Sequence, residues 1–408
     1  MTTPTRPVPA AAPWAEDMFT FGVTGTNGKT STTHLLAAAL QAAGQSTLRI
    51  GTVGVALDDE PLVRGKSFHD FLATMRLAVE RGCRRAVLEV TSQGLAQGYA
   101  RAWRFDLGVF TNLSPDHLTT HGTWEHYLAA KAQLFIHLGP GSTAVLNAAD
   151  QHSLFIDQAT PPDVIRRYFA APNRGPKLHA ADLEAVSISI DPSGTSIELA
   201  HSSFAEELGG ALHTRMVGEV FGENALAAAL AALSAGVSGD DVFRGISACP
   251  VVPGRFEVVD HGADRPTLVV DFAHTPDALV HTCATARRLA RGRVIVVFGA
   301  GGGRMVEKRE PMGEVVGAAA DLAIVTNDNP RKEDPKLIAA ALEAGLRRSG
   351  CAQIVVELDR SQAIARAIAE ASPGDVVVIA GKGHERGQSV GGASLPFSDV
   401  DCVRALIG

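Results

Sequence analysis

The chain has 408 residues, with 37 basic against 44 acidic side chains for a formal charge of -7, and it is 46% hydrophobic and 20% charged. That length allows two or three domains, the composition is that of a globular chain rather than a disordered or membrane-spanning one, and the mild acidity argues against a nucleic-acid surface or a polybasic membrane anchor. The cysteines, Cys83, Cys249, Cys283, Cys351 and Cys402, are scattered and never closely paired, which gives no zinc signature and favours a reducing cytoplasm.

In chain order, residues 1–17 carry Pro and Ala without an apolar core behind a basic start, so they read as a mobile arm and not as a signal peptide. Residues 19–23 predict a strand, 30–43 a helix, and 85–90 and 107–111 further strands, an alternation that implies βα units on a mainly parallel sheet. From 186 to 217 the pattern is strand-rich, with turns at 191–194 and 209–210, as for an added antiparallel edge, and a helix follows from Asn224. Its apolar, Ala-rich stretch 225–237 is too short to span a membrane and reads as a buried helix. Two prolines and a glycine in CPVVPGR, residues 249–255, mark a domain boundary. Beyond it LVVD, VIVVF, LAIVT, IVVEL and VVVIA recur between helical segments, a doubly wound pattern whose strands are covered on both faces.

The most specific local signal is GVTGTNGKT, residues 22–30, between the first strand and the first helix. Glycines let backbone N–H groups wrap phosphates, Lys29 supplies a point charge, and the Thr30 hydroxyl can ligate Mg²⁺ at a helix N-terminus. The loop is two residues shorter than the common GxxxxGK[ST] form. Glu89 ends one strand and His117 follows another, and such strand ends converge on a ligand crevice. A carboxylate suits Mg²⁺, whereas a histidine is an unusual ligand for it. Taken singly, Glu89 and His117 read as capped or satisfied structural residues before they read as ligands, and Lys131 as a solvated helix lysine.

Together, GTNGKTST, EVTSQGL, FTNLSPDHLTTHGT, YLAAKAQLF, VDFAHTPDAL, TNDNPR and AGKGHE stand in the order found in Mur ligases, and the chain resembles their diaminopimelate-adding, MurE-like branch from about Phe19 to its end. The resemblance implies an α/β fold, with a P-loop central ATPase domain on a mainly parallel sheet over residues 18–248 and a Rossmann-like C-terminal domain over 249–408. It implies a cytoplasmic, ADP-forming ligase that activates a small carboxylic acid as an acyl phosphate and couples it to an amino acid, using ATP and two Mg²⁺ ions. Carried over position by position, it gives Gly25, Thr26, Asn27, Gly28, Lys29, Thr30 and Ser31 to the phosphates. Asn224, Arg255, His274 and Asp277 go to the rest of the nucleotide, and Thr30, Glu89, His117 and Lys131 to the metal. Lys131 matches a lysine that the family carbamoylates, a change that turns a cation into an anionic oxygen donor. Arg309, Asp328, Asn329, Arg331, Gly381 and Glu385 match the amino-acid pocket, where an arginine can clamp a carboxylate and Glu385 an ammonium. Rotation of the C-terminal domain about residues 253–255 would close the site.

The acceptor side departs from the family. Only about twenty residues precede the phosphate loop, where the cell-wall enzymes carry a UDP-binding domain. The family's Ser-Ser-His reads Thr91-Ser92-Gln93, an expected arginine aligns with Tyr99, with Arg101 as its substitute, and a GGDRD-like segment reads GGGRM, residues 301–305. Metal ligands and amino-acid contacts persist while acceptor contacts change, which implies a non-UDP acid. Two other readings stay open: the peptidoglycan reaction with the UDP domain on a partner chain, and a non-catalytic ATP-binding regulatory module. A folylpolyglutamate-type ligase fits DNPR and GKGHE less well.

Overall fold

The computed structural model describes residues 13–65, 67–114, 122–172, 175–303 and 305–408. The chain divides into two compact units, one of residues 1–189, 196–214 and 220–249, the other of 190–195, 215–219 and 250–408.

The first unit is built on an eleven-stranded sheet in the order β11-β10-β9-β8-β7-β6-β1-β5-β2-β3-β4. The strands are β1 Phe19–Thr24, β2 Thr47–Gly51, β3 Gly54–Leu57, β4 Glu60–Leu62, β5 Arg85–Glu89, β6 Leu107–Phe110, β7 Thr143–Asn147, β8 Ile165–Ala170, β9 Leu183–Asp191, β10 Gly194–Leu199 and β11 Ala211–Thr214. Strands β2, β5, β1, β6, β7, β8 and β9 run parallel in sequence across the sheet, while β3 and β4 add an antiparallel edge. The central strands are apolar because helices cover both faces. Helices in this unit are α1 Lys29–Ala42, α2 Phe68–Glu80, α3 Ser92–Ala96, α4 Tyr99–Ala102, α5 Trp124–Ile136, α6 Ser153–Ala159, α7 Ser203–Glu207, α8 Glu219–Ser234 and α9 Gly239–Ala248.

Because β1 lies between β5 and β6, the loops leaving these three strands share one end of the sheet, the place where open α/β sheets take ligands. Close packing in this unit depends on small residues. A Cβ on Gly22 of β1 would lie 2.7 Å from the Phe105 ring, and one on Gly245 of α9 would lie 2.4 Å from the Ala38 carbonyl of α1. Two sequence expectations shift. The helix expected from Asn224 begins at Glu219 and is buried along most of its length, as its lack of a polar stripe requires. Residues 13–17, expected within a mobile arm, form a short 3-10 turn, and Trp14 packs 5.9 Å from Trp103; residues 1–12 lie outside the described residues.

The second unit has a six-stranded sheet in the order β12-β13-β17-β14-β15-β16, with β12 Glu257–Gly262, β13 Arg265–Asp271, β14 Val294–Phe298, β15 Leu322–Val325, β16 Gln353–Val356 and β17 Val376–Ala380. β12 is antiparallel and the rest are parallel. The five apolar runs of the sequence are β13 to β17. The last strand inserts between β13 and β14, so their carboxyl ends and those of β15 surround one crevice. Helices α10 Pro276–Leu289, α11 Arg309–Ala319, α12 Pro335–Arg348, α13 Arg360–Glu370 and α14 Asp399–Ile407 cover the sheet, and a hairpin of β18 Gly387–Val390 and β19 Ala393–Pro396 follows β17. Among the described residues, no helix is long and apolar enough to cross a membrane.

Candidate active site

In the first unit the β1–α1 loop is held open by its own glycines and by side chains from the segment just after β6. Gly25 and Gly28 have φ of 150° and 84°, and the Asn112 side-chain carbonyl accepts from the Asn27 N–H at 2.9 Å. The Thr111 hydroxyl donates to the Asn27 carbonyl at 2.6 Å, and a Cβ on Gly25 would lie 1.9 Å from that hydroxyl. Gly28 is the N-cap of α1, so the first N–H groups of the helix face outward, an arrangement suited to phosphate. Ser31 is buried in the first turn. Asn224, from α8, lies against the loop, its Oδ1 being 2.3 Å from where a Gly28 Cβ would sit.

Three of the expected charged groups come together here. Lys29 folds back to donate to the Gly25 and Thr26 carbonyls at 3.0 and 2.8 Å. Lys131, from α5 and only 1% exposed, donates to the same Gly25 carbonyl at 2.6 Å. Its nitrogen lies 4.5 Å from the Tyr127 ring centre, and the Tyr127 hydroxyl meets Thr26 Oγ1 at 3.1 Å. Thr30 donates its hydroxyl to Glu89 Oε2 at 3.1 Å, and Thr52 holds the same carboxylate through its N–H and hydroxyl, both at 2.9 Å. His117 lies outside the described residues. Among the described residues, no group of three or more His, Cys, Asp or Glu is placed to hold a metal; the oxygen donors gathered are Thr30 and Glu89.

The segment after β5 carries the expected acceptor residues. Thr91 caps α3 by accepting from the Gly94 N–H at 3.1 Å, Ser92 is buried, and Gln93 and Arg101 are exposed. Tyr99 packs its ring 5.2 Å from Phe68, within a cluster that continues through Phe71 to Trp103. Arg64 lies over the Phe71 ring at 5.5 Å.

In the second unit, the remaining residues stand on the segments after β13, β14, β15 and β17, with Arg255 just before β12. Arg255 sits 4.8 Å over the Phe272 ring, His274 Nδ1 is 2.8 Å from the Phe272 carbonyl, and Asp277 lies in the first turn of α10. Buried Asp271 accepts from Thr282 and from the Phe256 and Phe272 N–H groups. Burial pushes its carboxyl up, against the pull of those donors and of Arg255.

Asp328, Asn329, Arg331, Gly381 and Glu385 form one cluster, but one of its members, Asn329, and the neighbouring Arg309 act differently from expectation. Asn329 donates to Asp328 Oδ1 and Glu385 Oε2, each at 2.8 Å, and accepts from Ser389 N at 2.8 Å and from Lys382 at 3.4 Å. A side-chain amide has two donor hydrogens and two acceptor lone pairs, so none is left for a substrate. Arg309 is 2% exposed, and its terminal nitrogens hold Glu333 at 2.7 and 2.8 Å, so its fork is committed to a protein carboxylate. Arg309, with the Gly303 N–H after it, holds the Glu333 carboxyl down to about 2. Arg331 keeps a φ of 57° and donates to the Gly302 carbonyl at 2.8 Å.

Lys382, Glu333, Tyr127, Thr52 and the pair Arg360–Asp399 escaped the sequence reading. Arg360 and Asp399 form a buried two-bond pair at 2.7 and 2.8 Å, and Arg360 also donates to the Asn327 and Ala380 carbonyls at 3.1 and 2.9 Å, tying the ends of β15 and β17 together. Lys382 had a signal, standing between Gly381 and Glu385 in AGKGHE. Tyr127 had one too, opening YLAAKAQLF four residues before Lys131; Glu333, Thr52 and the pair Arg360–Asp399 had none, since each finds its partner across the fold.

The chain matches the Mur ligase middle domain over residues 23–232 and the Mur ligase, glutamate ligase domain over residues 254–383. It is 37% identical over 397 residues to a UDP-N-acetylmuramoyl-L-alanyl-D-glutamate--2,6-diaminopimelate ligase of Aquifex aeolicus, covering 97% of this chain and 78% of that protein. Its identity to the Streptomyces coelicolor protein of that name is 36% over 402 residues, 96% of this chain and 76% of the relative. A solved structure of a ligase of that name superposes with a TM-score of 0.67 at 32% identity, covering 96% of this chain and 78% of the other. Mycobacterium tuberculosis folylpolyglutamate synthase shares the fold, with a TM-score of 0.72 at 19% identity over 90% of this chain and 89% of that one. The chain therefore belongs to the Mur ligase family, as an ATP-dependent ligase that joins a carboxylic acid to an amino acid.

Proposed function

We propose that this ligase activates a carboxylic acid other than the UDP-linked muramoyl dipeptide and couples it to a diamino or similarly zwitterionic amino acid. The carrying observation is the contrast between its two substrate regions. Asp328, Arg331 and Glu385 gather around the β15 and β17 ends, offering carboxylates for ammonium groups and a guanidinium for a carboxylate. On the acceptor side, Tyr99 stands where the family pattern has an arginine, and its ring packs on Phe68.

The phosphate loop fits its nucleotide: Gly25 and Gly28 let the backbone turn at positive φ hard against Thr111 and Asn224, where a Cβ would clash, and Thr30 and Glu89 offer the oxygen donors that Mg²⁺ takes. With His117 and a carbamate on Lys131, they would hold two ions. When bound, Mg²⁺ neutralises charge on the transferring phosphoryl group. A carbamate keeps one N–H for the Gly25 carbonyl and adds an anionic oxygen, and the burial of Lys131 shields it from water. Lys29 and the N–H groups of the loop orient the γ-phosphate. An oxygen of the acid then bonds to γ-phosphorus as the bond to ADP breaks. The unprotonated amine of the amino acid bonds to the acyl carbon, phosphate leaves, and a proton goes to solvent. Positioning carries much of this rate, because water competes for the acyl phosphate.

The test is a mass-spectrometric screen of amino acids against small acids and acyl dipeptides with ATP and Mg²⁺. The expected result is one new amide, formed with ADP and lost in Lys29→Ala. Tight ATP binding without ADP or amide from any pair would overturn the reading, as would amino-acid-dependent ADP release that survives Lys29→Ala. Identity of 37% to the Aquifex aeolicus ligase favours a second reading, in which the product is the diaminopimelate adduct of the UDP-linked dipeptide; the same screen includes that acceptor and decides between them.

A further inference from the structure

Lys382 follows Gly381 at the end of β17 and has a fully buried side chain, 0% exposed. Burying an ammonium is costly unless its donors are matched. Here they are: Nζ donates to Glu385 Oε2 at 2.9 Å, to the Gly387 carbonyl at 2.7 Å and to Asn329 Oδ1 at 3.4 Å. Those acceptors use its three hydrogens, so Lys382 has nothing left for a substrate and no path to one.

What it does offer is direction. Glu385 Oε2 receives both Lys382 and the Asn329 amide, while Oε1 receives neither, and the Glu385 side chain is 36% exposed. The carboxylate is thus pinned by one oxygen from behind and presents the other. Burial alone would raise this carboxyl, but Lys382 and Asn329 outweigh it and hold the group below the usual carboxylate range. The pinning also reaches the neighbouring loops, since Asn329 is bonded to Ser389 of β18 and Gln388 donates to the Asp328 carbonyl at 2.9 Å.

Resting on the amino-acid pocket read above, we propose that Lys382 is the positioning residue of that pocket: it fixes Glu385 Oε2 so that Oε1 faces the second ammonium group of a diamino acid. A purely stabilising role is a poor fit, because buried ion pairs add little net stability over apolar residues of similar size.

The experiment compares wild type, Lys382→Met, Glu385→Gln and the double variant, using meso-diaminopimelate and 2-aminopimelate, which lacks the distal amine. Lys382→Met is expected to raise KM for meso-diaminopimelate by about tenfold to a hundredfold, the range for a hydrogen bond to a charged group. KM for ATP and for 2-aminopimelate should not move. If Lys382 acts through Glu385, the double variant will match Glu385→Gln alone. Additive losses, or equal losses for both amino acids, overturn the assignment. Failure of the wild type to form any amide overturns the functional reading instead. In that case the crystal structure of Lys382→Met decides for Lys382: a Glu385 carboxylate that turns away from Asn329 supports the role, and one that stays in place refutes it.

Discussion

Lys29 and Lys131 donate to one and the same acceptor, the carbonyl oxygen of Gly25, at 3.0 and 2.6 Å. Two ammonium groups on one oxygen repel, and more strongly in a buried site than in water. The Tyr127 face beside Lys131 offsets part of this. Carbamoylation of Lys131 removes the repulsion altogether, replacing a cation beside Lys29 with an anion. We therefore expect ¹³C-labelled bicarbonate to give a carbamate carbon resonance in the wild type that Lys131→Ala lacks. Stripping CO₂ should slow the wild type, and Lys131→Ala should lose about a hundredfold to a thousandfold in kcat, as when one preorganised electrostatic group is removed. A wild-type rate indifferent to CO₂, with no carbamate resonance, would show that Lys131 works as an ammonium.

Gly28 links the loop to α8. At φ 84° an alanine costs about 1–2 kcal/mol in backbone strain, and its Cβ would fall 2.3 Å from Asn224 Oδ1. Gly28→Ala should lower the melting temperature by several degrees and weaken ATP binding by about tenfold or more, the loss for 1.4 kcal/mol. Adding Asn224→Gly makes room for the methyl group, so the double variant should regain part of the melting temperature without regaining affinity. No recovery on that second change would mean the clash is not with Asn224.

Glu333 gives an acid-side signature. Its carboxyl is held down to about 2, by Arg309 first and the Gly303 N–H second, from an ordinary 4.5. A carboxyl depressed by folding stabilises the native state above its unfolded value and loses that contribution as pH falls through its folded value. The contribution is thus complete above about pH 4.5 and gone below about pH 2. Glu333→Gln should melt lower than wild type at pH 7, and the two melting curves should converge as pH falls across that window. Curves that stay parallel would show that the pair with Arg309 adds nothing to stability.

What the sequence made legible was whatever repeats locally. The apolar runs announced β13 to β17, and the glycines with Lys29 and Thr30 announced a phosphate loop between β1 and α1. Pairings across the fold were not legible. Asn329 meets Lys382, Glu385 and Ser389, residues 53, 56 and 60 positions away, and Thr52 meets Glu89 across 37. A motif names Asn329 and Arg309 as pocket residues, but only the partners reveal that both are spent on protein groups. The early start of α8 has a similar cause: buried Glu223, whose polarity interrupts the apolar run, is satisfied by Asn147 of β7 at 2.6 Å.

That saturation makes Asn329 a sensitive place to add charge. Asn329→Asp replaces the amide that donates to Asp328 and Glu385 with a third carboxylate. Each hydrogen bond to a charged group contributes about 1.5–3 kcal/mol, so losing both and adding repulsion should destabilise the protein by about 3 kcal/mol or more at pH 7. Crowded carboxylates share protons, and one of them titrates above its usual range. Such a raised group binds its proton more tightly in the folded state, so the variant regains stability as pH falls through that range. In urea unfolding, the gap between wild type and Asn329→Asp should therefore narrow from pH 7 to pH 5. The gap for Asn329→Ala, which loses the same bonds without adding charge, should stay nearly constant. A pH-independent gap for Asn329→Asp would mean the new carboxylate turns to solvent, and that the amide is not the hub that joins Asp328, Glu385 and Lys382.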